Sequence, residues 1–160
     1  MYLASNYTGR QTSETARHPP TYNFHVKPGT YYTLIMLDYD APRPNSPWLH
    51  LLYINITDPR NIKPTNIIAS YSAPSPPPRT GKHRYITYLF EQRHPIYGQN
   101  TIGDWGRPHF DVEGFMAKYG LKTVASTEFY VDSGAGGARH RGTRRIITRR
   151  KTKKHKIKKA

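Results

Sequence analysis

The sequence contains no cysteine, which excludes a disulfide framework and thiol chemistry and is compatible with a reducing compartment. No apolar run approaches the roughly 18 residues that a membrane-spanning helix requires. The N-terminus lacks the basic and apolar regions of a secretory signal, so we expect an intracellular protein (cytoplasm, nucleus or virion) rather than a secreted one. Only 36% of the residues are hydrophobic, and with 14 prolines and 13 tyrosines this favours a loop-rich β protein over a helical bundle.

Acidic residues are also scarce, and they are absent from the C-terminal part of the chain. Residues 139–160 contain 12 Lys or Arg residues, whereas the first 138 residues contain 13 basic and 10 acidic residues. The first part therefore has a net charge of 13 − 10 = +3 out of a total of +15. A chain of 160 residues is long enough for one domain with a proper core. The sequence predicts a near-neutral domain that carries a cationic tail.

Apolar runs separated by Pro- and Gly-rich segments predict a fold that is mainly β with a few short helices. The predicted strands cover residues 31–37, 48–56, 83–90 and 127–131. A helix is predicted at 112–119, because apolar residues recur there at i, i+3, i+4 and i+7. Asp111 fits its N-cap and Gly120 its C-terminal end.

Composition divides the chain into four parts. The predicted boundaries give an irregular N-terminal arm (1–20), a folded domain (21–132), a Gly-rich flexible linker (133–138) and a flexible basic tail (139–160).

Three short motifs place polar groups two residues apart at the ends of apolar runs. They are Asp38-Tyr39-Asp40-Ala41-Pro42, Trp48-Leu49-His50 and Gly81-Lys82-His83-Arg84-Tyr85. Side chains at i and i+2 of a strand share a face. The same-face pairs are Asp38 with Asp40, Trp48 with His50, and His83 with Tyr85. Carboxylate, imidazole and phenol groups beside Trp and Pro predict a small polar pocket.

A pocket of this composition suits a small oxyanion such as phosphate. Protonated His and the Tyr O–H can donate to it, and charge-assisted hydrogen bonds are stronger than neutral ones. Asp38 would repel an anion, so we expect it to accept a hydrogen bond from a His N–H and fix that tautomer. A plainer interpretation is that His50 and His83 are structural residues at strand ends.

In this order, the motifs resemble the D-P-D-x-P, W-x-H and G-x-H-R-Y markers of the phosphatidylethanolamine-binding protein family. The resemblance spans residues 28–132 and includes a segment at 115–121 that is similar to the family's F-x-x-K-Y-x-L helix. It implies a β-sandwich or Greek-key domain with an anion pocket for phosphate or phospholipid headgroups, and often a kinase, protease or transcription complex as partner. The pocket residues it implies are Asp38, Asp40, Pro42, Trp48, His50, Gly81, His83 and Tyr85.

The chain also departs from the family pattern. Tyr39 stands where the family has Pro, and Leu49 replaces a residue that is often polar or His. The N-terminal strands look abbreviated, and a basic tail replaces the usual C-terminal helix. These features suggest a divergent, shortened member. Family-like proteins occur in large DNA viruses and mitochondrial ribosomes, and a viral origin is one interpretation.

The basic tail is expected to bind a polyanion. It contains no aromatic residue for base stacking, so contact with a phosphate backbone is favoured over reading of bases. Acidic lipid, a nuclear localisation signal and a solubilising role remain alternatives. The polyanion-binding residues predicted are Arg139, Arg141, Arg144, Arg145, Arg149, Arg150, Lys151, Lys153, Lys154, Lys156, Lys158 and Lys159.

Taken together, these features predict a non-catalytic binding protein with a phosphate or headgroup pocket and a polyanion-binding tail. The alternative is a structural component of a virion or organellar ribosome with a vestigial pocket. No H-E-x-x-H, P-loop or G-x-S-x-G motif is present, so an enzyme is not expected. We expect no cofactor and no metal, and further protein partners within a larger assembly are compatible with the sequence.

Overall fold

The computed structural model describes residues 1–134, and this part of the chain is mainly β. Its strands are β1 (Ala4–Ser5), β2 (Gly9–Gln11), β3 (Tyr22–Asn23), β4 (Tyr31–Asp38), β5 (Trp48–Ile56), β6 (Ile67–Ala69), β7 (Lys82–Gln92) and β8 (Lys122–Asp132). One α-helix, α1 (Val112–Tyr119), and two 3-10 turns, Pro64–Asn66 and Asp104–Gly106, complete the elements of residues 1–134. The predicted fold class is therefore confirmed.

Six strands form one sheet in the order β2-β8-β7-β4-β5-β6, and β1 pairs with β3 in a small second sheet. All neighbours in the large sheet are antiparallel except β2 and β8, which are parallel. The central strand β4 is buried over nearly its whole length. Its even-numbered side chains face one hydrophobic cluster and its odd-numbered ones face another, as the alternation of a strand requires.

Different layers cover the two faces of the sheet. On one face, Leu34 and Met36 pack in a cluster with Tyr22 and Phe24 from the small β1–β3 layer. On the other face, Ile35 and Leu37 belong to a cluster against which the apolar residues of α1 pack. The helix begins after Asp111, whose side chain accepts a hydrogen bond from the Gly114 N–H, and ends at Gly120 with φ 59°. Both ends lie where the sequence predicts them.

The N-terminal segment differs from the irregular arm expected over residues 1–20. β1 and β2 lie within it, and β2 pairs with the end of β8. Leu3, Tyr7 and Ala16 are buried in the cluster on the β1–β3 side, so this segment is part of the domain. Strands of two or three residues are too short to produce a recognisable sequence period, so no pattern in the sequence marks them.

The C-terminal strand is longer than expected, beginning at residue 122 rather than 127. Its first residues are mostly exposed and polar, so no apolar alternation marked them. The predicted basic tail (139–160) and most of the predicted linker (133–138) lie outside the described residues. Within residues 1–134, no helix combines the length and the apolar character that crossing a membrane would require.

Candidate functional site

Strand pairing brings the three sequence motifs to one end of the large sheet. β4 ends at Asp38, which pairs with Trp48 at the start of β5 and with Tyr85 near the start of β7. Because both pairings are antiparallel, the end of β4 lies beside the beginnings of its two neighbours. The side chains that the sequence singled out therefore converge from three strands.

These side chains line a cavity of about 250 Å³ at that end of the sheet. Six of the eight predicted pocket residues line it: Asp38, Pro42, Trp48, His50, His83 and Tyr85. The opposite wall comes from the Pro-rich segment after β6, which contributes Ser72, Ala73, Ser75, Pro76 and Pro77.

The other two predicted residues, Asp40 and Gly81, do not line this cavity. Asp40 is exposed, and its Oδ2 accepts a hydrogen bond of 2.9 Å from the Arg84 N–H, which ties the turn after β4 to β7. Gly81 has φ 84°, a left-handed conformation that favours glycine. Its N–H donates to Ser133 Oγ and its carbonyl accepts from the Ser133 N–H. Both residues therefore stabilise the backbone around the cavity and are not part of its lining.

A buried pair lies at the cavity wall where β4 meets β7. The Nδ1–H of His83 donates to Asp38 Oδ2 at 2.7 Å, and the Asp40 N–H donates to Asp38 Oδ1 at 2.8 Å. The expected role of Asp38 as acceptor for a His N–H is therefore confirmed. The second ring nitrogen of His83, Nε2, lies 2.7 Å from Thr80 Oγ1. Both nitrogens of His83 thus have partners within the protein, which the sequence did not reveal.

A β-bulge positions His50. Leu51 pairs with Met36 and Leu49 pairs with Leu37, so His50 has no partner on β4. Leu49 and Leu52 face the α1 side, while Leu51 faces the β1–β3 side. Counted back from Leu52, unbroken alternation would direct His50 into the same apolar cluster as Leu52. The bulge instead presents the imidazole to the cavity, as bulges beside functional sites commonly do.

The imidazole of His50 is buried, which disfavours the protonated form that the sequence offered as one possible donor to an oxyanion. Its Nδ1 lies 2.6 Å from the Ser72 carbonyl oxygen, and its ring meets the Tyr85 ring edge-on at 4.9 Å. Burial lowers the pKa of His50 to about 4; the Arg107 charge acts in the same direction, and the Ser72 and Asp38 oxygens oppose it. At neutral pH the ring is therefore uncharged.

Tyr85 forms the floor between the two histidines. Its ring stacks on Phe129 at 5.2 Å, and only 1% of the residue is exposed. Burial, followed by the Asp38 charge, raises the pKa of Tyr85, so its hydroxyl keeps its proton and can donate. Among the described residues, no hydrogen-bond partner is assigned to the Tyr85 hydroxyl or to the Trp48 indole N–H.

Arg107 lies next to the cavity, and the sequence did not predict it as a site residue. It is 4% exposed, and its guanidinium donates to the Leu49 carbonyl at 3.1 Å and to the Ser70 carbonyl at 2.9 Å. The carbonyl of Arg107 also accepts from the Leu49 N–H. These bonds join β5 to the segment after β6, directly beside the contact of His50 with Ser72. A single Arg in a Gly- and Pro-containing loop carries no signal for such a role.

Comparison with known proteins agrees with this geometry. A sequence model of the phosphatidylethanolamine-binding protein family matches residues 1–130 of the chain. The chain belongs to the phosphatidylethanolamine-binding protein family. The match begins at residue 1, in agreement with the N-terminal strands being part of the domain.

Solved structures share the fold at low sequence identity. A carboxypeptidase Y inhibitor in complex with its cognate proteinase matches with a TM-score of 0.67 and 19% identity, over 82% of this chain and 83% of the inhibitor. The phosphatidylethanolamine-binding protein of Plasmodium vivax gives 0.58 and 19%, over 78% and 76% of the two chains. E. coli YbcL gives 0.56 and 17%, over 81% and 96%. At these identities the likeness concerns the fold alone.

Proposed function

We propose that this family member is a non-catalytic binding protein that holds a phosphorus oxyanion in the cavity, either as free phosphate or as part of a phospholipid headgroup. In this proposal the ligand lies among the six predicted residues that line the cavity, with Asp40 and Gly81 supporting them. The observation that carries the proposal is the buried Asp38–His83 pair, because it places the carboxylate in an ion pair or hydrogen bond rather than against the ligand.

The hydrogen-bonding groups that remain suit an oxyanion. Both Asp38 oxygens already accept hydrogen bonds from protein N–H groups. The Tyr85 hydroxyl and the Trp48 indole N–H also line the cavity, and these two donors have no hydrogen-bond partner within residues 1–134. The Ser72 and Ser75 hydroxyls on the Pro-rich wall add donors that can rotate. A phosphate oxygen can accept from several such groups at once.

The size of the cavity limits the ligand. An apolar cavity of about 150 Å³ is known to hold benzene. A volume of about 250 Å³ therefore accommodates a phosphate group with an ethanolamine attached, but not the acyl chains of a lipid. A phospholipid would leave its chains outside, whereas free phosphate would enter completely.

A binding rather than catalytic role draws support from one structural neighbour. That protein is an inhibitor in complex with a proteinase, so this fold serves a binding role there.

The test of the pocket is an NMR titration of the full chain with phosphorylethanolamine. We expect saturable shifts for the Trp48 indole, the His50 ring and Tyr85, and their loss in Asp38→Asn, which weakens the pair with His83. Glu14→Gln, at an exposed ion pair, serves as the matched control. A folded protein whose cavity signals do not move would refute the proposed binding function.

We further propose that residues 139–160 attach the domain to a polyanion. The 12 Lys and Arg residues of this segment, without a single acid, provide the charge. Binding to duplex DNA, RNA and anionic vesicles should weaken steeply with salt, with a slope set by the number of phosphates neutralised. Removal of residues 139–160 should abolish it while leaving the cavity titration unchanged. Binding that survives the truncation would place the polyanion site elsewhere.

A further inference from the structure

We propose that the cavity selects oxyanion ligands that bring their own hydrogen-bond donor to Nε2 of His50. This rests on the proposed binding function and adds a selectivity to it. Depending on which ligand supplies the donor, hydrogen phosphate should bind where sulfate does not, or a headgroup with an N–H should bind where a quaternary ammonium does not. His50 is then the residue that determines specificity.

The contact with Ser72 determines the tautomer of His50. Its Nδ1 lies 2.6 Å from the Ser72 carbonyl oxygen, which can only accept a hydrogen bond. Nδ1 must therefore carry the proton. A neutral ring protonated at Nδ1 has a lone pair at Nε2, so Nε2 is an acceptor.

Burial disfavours a second proton on the His50 ring. His50 is 5% exposed, and its edge-on contact with Tyr85 leaves little room for solvent. The charged and titratable groups around it are Asp38 and His83, which pair with each other, the buried cation Arg107, and the neutral Tyr85. Desolvation is the largest cause that holds the pKa of His50 down, to about 4, so Nε2 stays an acceptor at neutral pH.

The other imidazole of the cavity, His83, cannot take this role. His83 donates from Nδ1 to Asp38, and its Nε2 contacts Thr80 Oγ1. Nε2 of His50 has no assigned partner within residues 1–134. Of the two cavity histidines, only His50 therefore presents an open ring nitrogen to a ligand.

A ligand that has no proton to donate would place an acceptor oxygen against Nε2 of His50, which is itself an acceptor. A site built to receive a donor rejects an analogue that lacks one, by up to about 10⁴-fold, because the polar group of the site is left unpaired. Hydrogen phosphate avoids this by donating its P–O–H, and an ethanolamine headgroup avoids it with its ammonium. Sulfate and choline have neither donor.

The experiment compares two matched ligand pairs on the full chain, at about pH 8, where His50 is neutral. The first pair is inorganic phosphate against sulfate, and the second is phosphorylethanolamine against phosphorylcholine. Affinity is read from the NMR shifts of the Trp48 indole and the His50 ring, so that anions bound by the basic tail do not contribute. Ionic strength is held constant with sodium chloride. Phosphoryl-N,N-dimethylethanolamine, which is nearly as bulky as choline but keeps one N–H, separates size from donor loss.

We expect the donor-bearing member of at least one pair to bind about 50-fold or more tightly than its partner, with the dimethyl compound behaving like ethanolamine. Selectivity in the first pair identifies free phosphate as the source of the donor, and selectivity in the second identifies the headgroup. In His50→Asn, whose amide can still donate to Ser72 but whose shorter side chain has no acceptor at the position of Nε2, the preference should disappear.

Two failures are distinguishable. If all four ligands shift the cavity signals with affinities within threefold of each other, the donor requirement is wrong while the binding function stands. If none of them binds, the proposed binding function itself is wrong. A preference that persists unchanged in a folded His50→Asn protein would also overturn the assignment to His50.

Discussion

His83 Nδ1 lies 2.7 Å from Asp38 Oδ2, and the two side chains are 0% and 5% exposed. A carboxylate and an imidazole buried this deeply must be paired, because either group alone would lose its hydration without replacement. The pair joins the end of β4 to the beginning of β7 beneath the cavity. It therefore contributes to the stability of the domain and to the electrostatics of the site.

Removing one member of this pair should be strongly destabilising. We expect Asp38→Ala to lower the free energy of unfolding by about 3–5 kcal/mol, because a buried His83 loses its charged partner. The double variant Asp38→Ala/His83→Ala should cost about 2 kcal/mol less than the sum of the single variants. Urea unfolding measures all three, and Glu14→Ala should change little. Strict additivity of the two substitutions would show that the contact contributes nothing.

The neutral His50 makes stability depend on pH. In the unfolded chain His50 binds a proton near pH 6.5, whereas in the folded protein it does so only near pH 4. Stability should therefore fall as the pH decreases from 6.5 to 4, since only the unfolded state gains the proton in that interval. The difference corresponds to about 3 kcal/mol.

Urea unfolding at neutral and acidic pH tests this, with His50→Asn as the variant that lacks the titrating group. Its loss of stability on acidification should be smaller than that of the unmodified chain by about 3 kcal/mol. His25→Asn, at an exposed histidine, should behave like the unmodified chain. Equal pH profiles for all three proteins would contradict a neutral, buried His50.

The sequence predicts the convergence of the site well, because alternation along strands is a local rule. Trp48 and His50 share a face, as do His83 and Tyr85, and each pair lines the cavity. The rule fails where the backbone departs from regular geometry. Asp38 ends its strand, so Asp40 turns outward to the Arg84 N–H.

What the sequence could not predict depends on contacts between distant segments. The residues around His50 give no sign of a bulge, because the bulge is a shift in the pairing between β5 and β4. The bonds of Arg107 to Leu49 and Ser70 span 58 and 37 positions along the chain. The neutral state of His50 follows from its burial, which is a property of the assembled site and not of its residue type.

Asn55 should be important for stability at the opposite end of β5. Its φ is 54°, and its side chain accepts from the Gln92 amide and the Ile96 N–H while donating to the Ile96 carbonyl. We expect Asn55→Ala to cost about 3 kcal/mol, from the left-handed conformation and the unpaired groups together. Asn55→Gly tolerates the backbone conformation and should cost about 1 kcal/mol less. Thermal or urea unfolding measures both variants. If Asn55→Gly is less stable than Asn55→Ala, the left-handed backbone conformation does not contribute to the cost.

Arg107 should act on both the stability of the domain and the protonation of His50. Arg107→Met leaves the Leu49 and Ser70 carbonyls without their donor, and we expect a loss of about 2–4 kcal/mol in the free energy of unfolding. It also removes a cation near His50, so the pKa of that ring, followed by NMR, should rise. Arg107→Lys keeps the charge but loses the fork of donors, so it should lower stability while changing the His50 pKa much less. Arg84→Met, at an exposed arginine, is the matched control. If Arg107→Met and Arg107→Lys shift the pKa of His50 equally, the guanidinium affects His50 through packing and not through its charge.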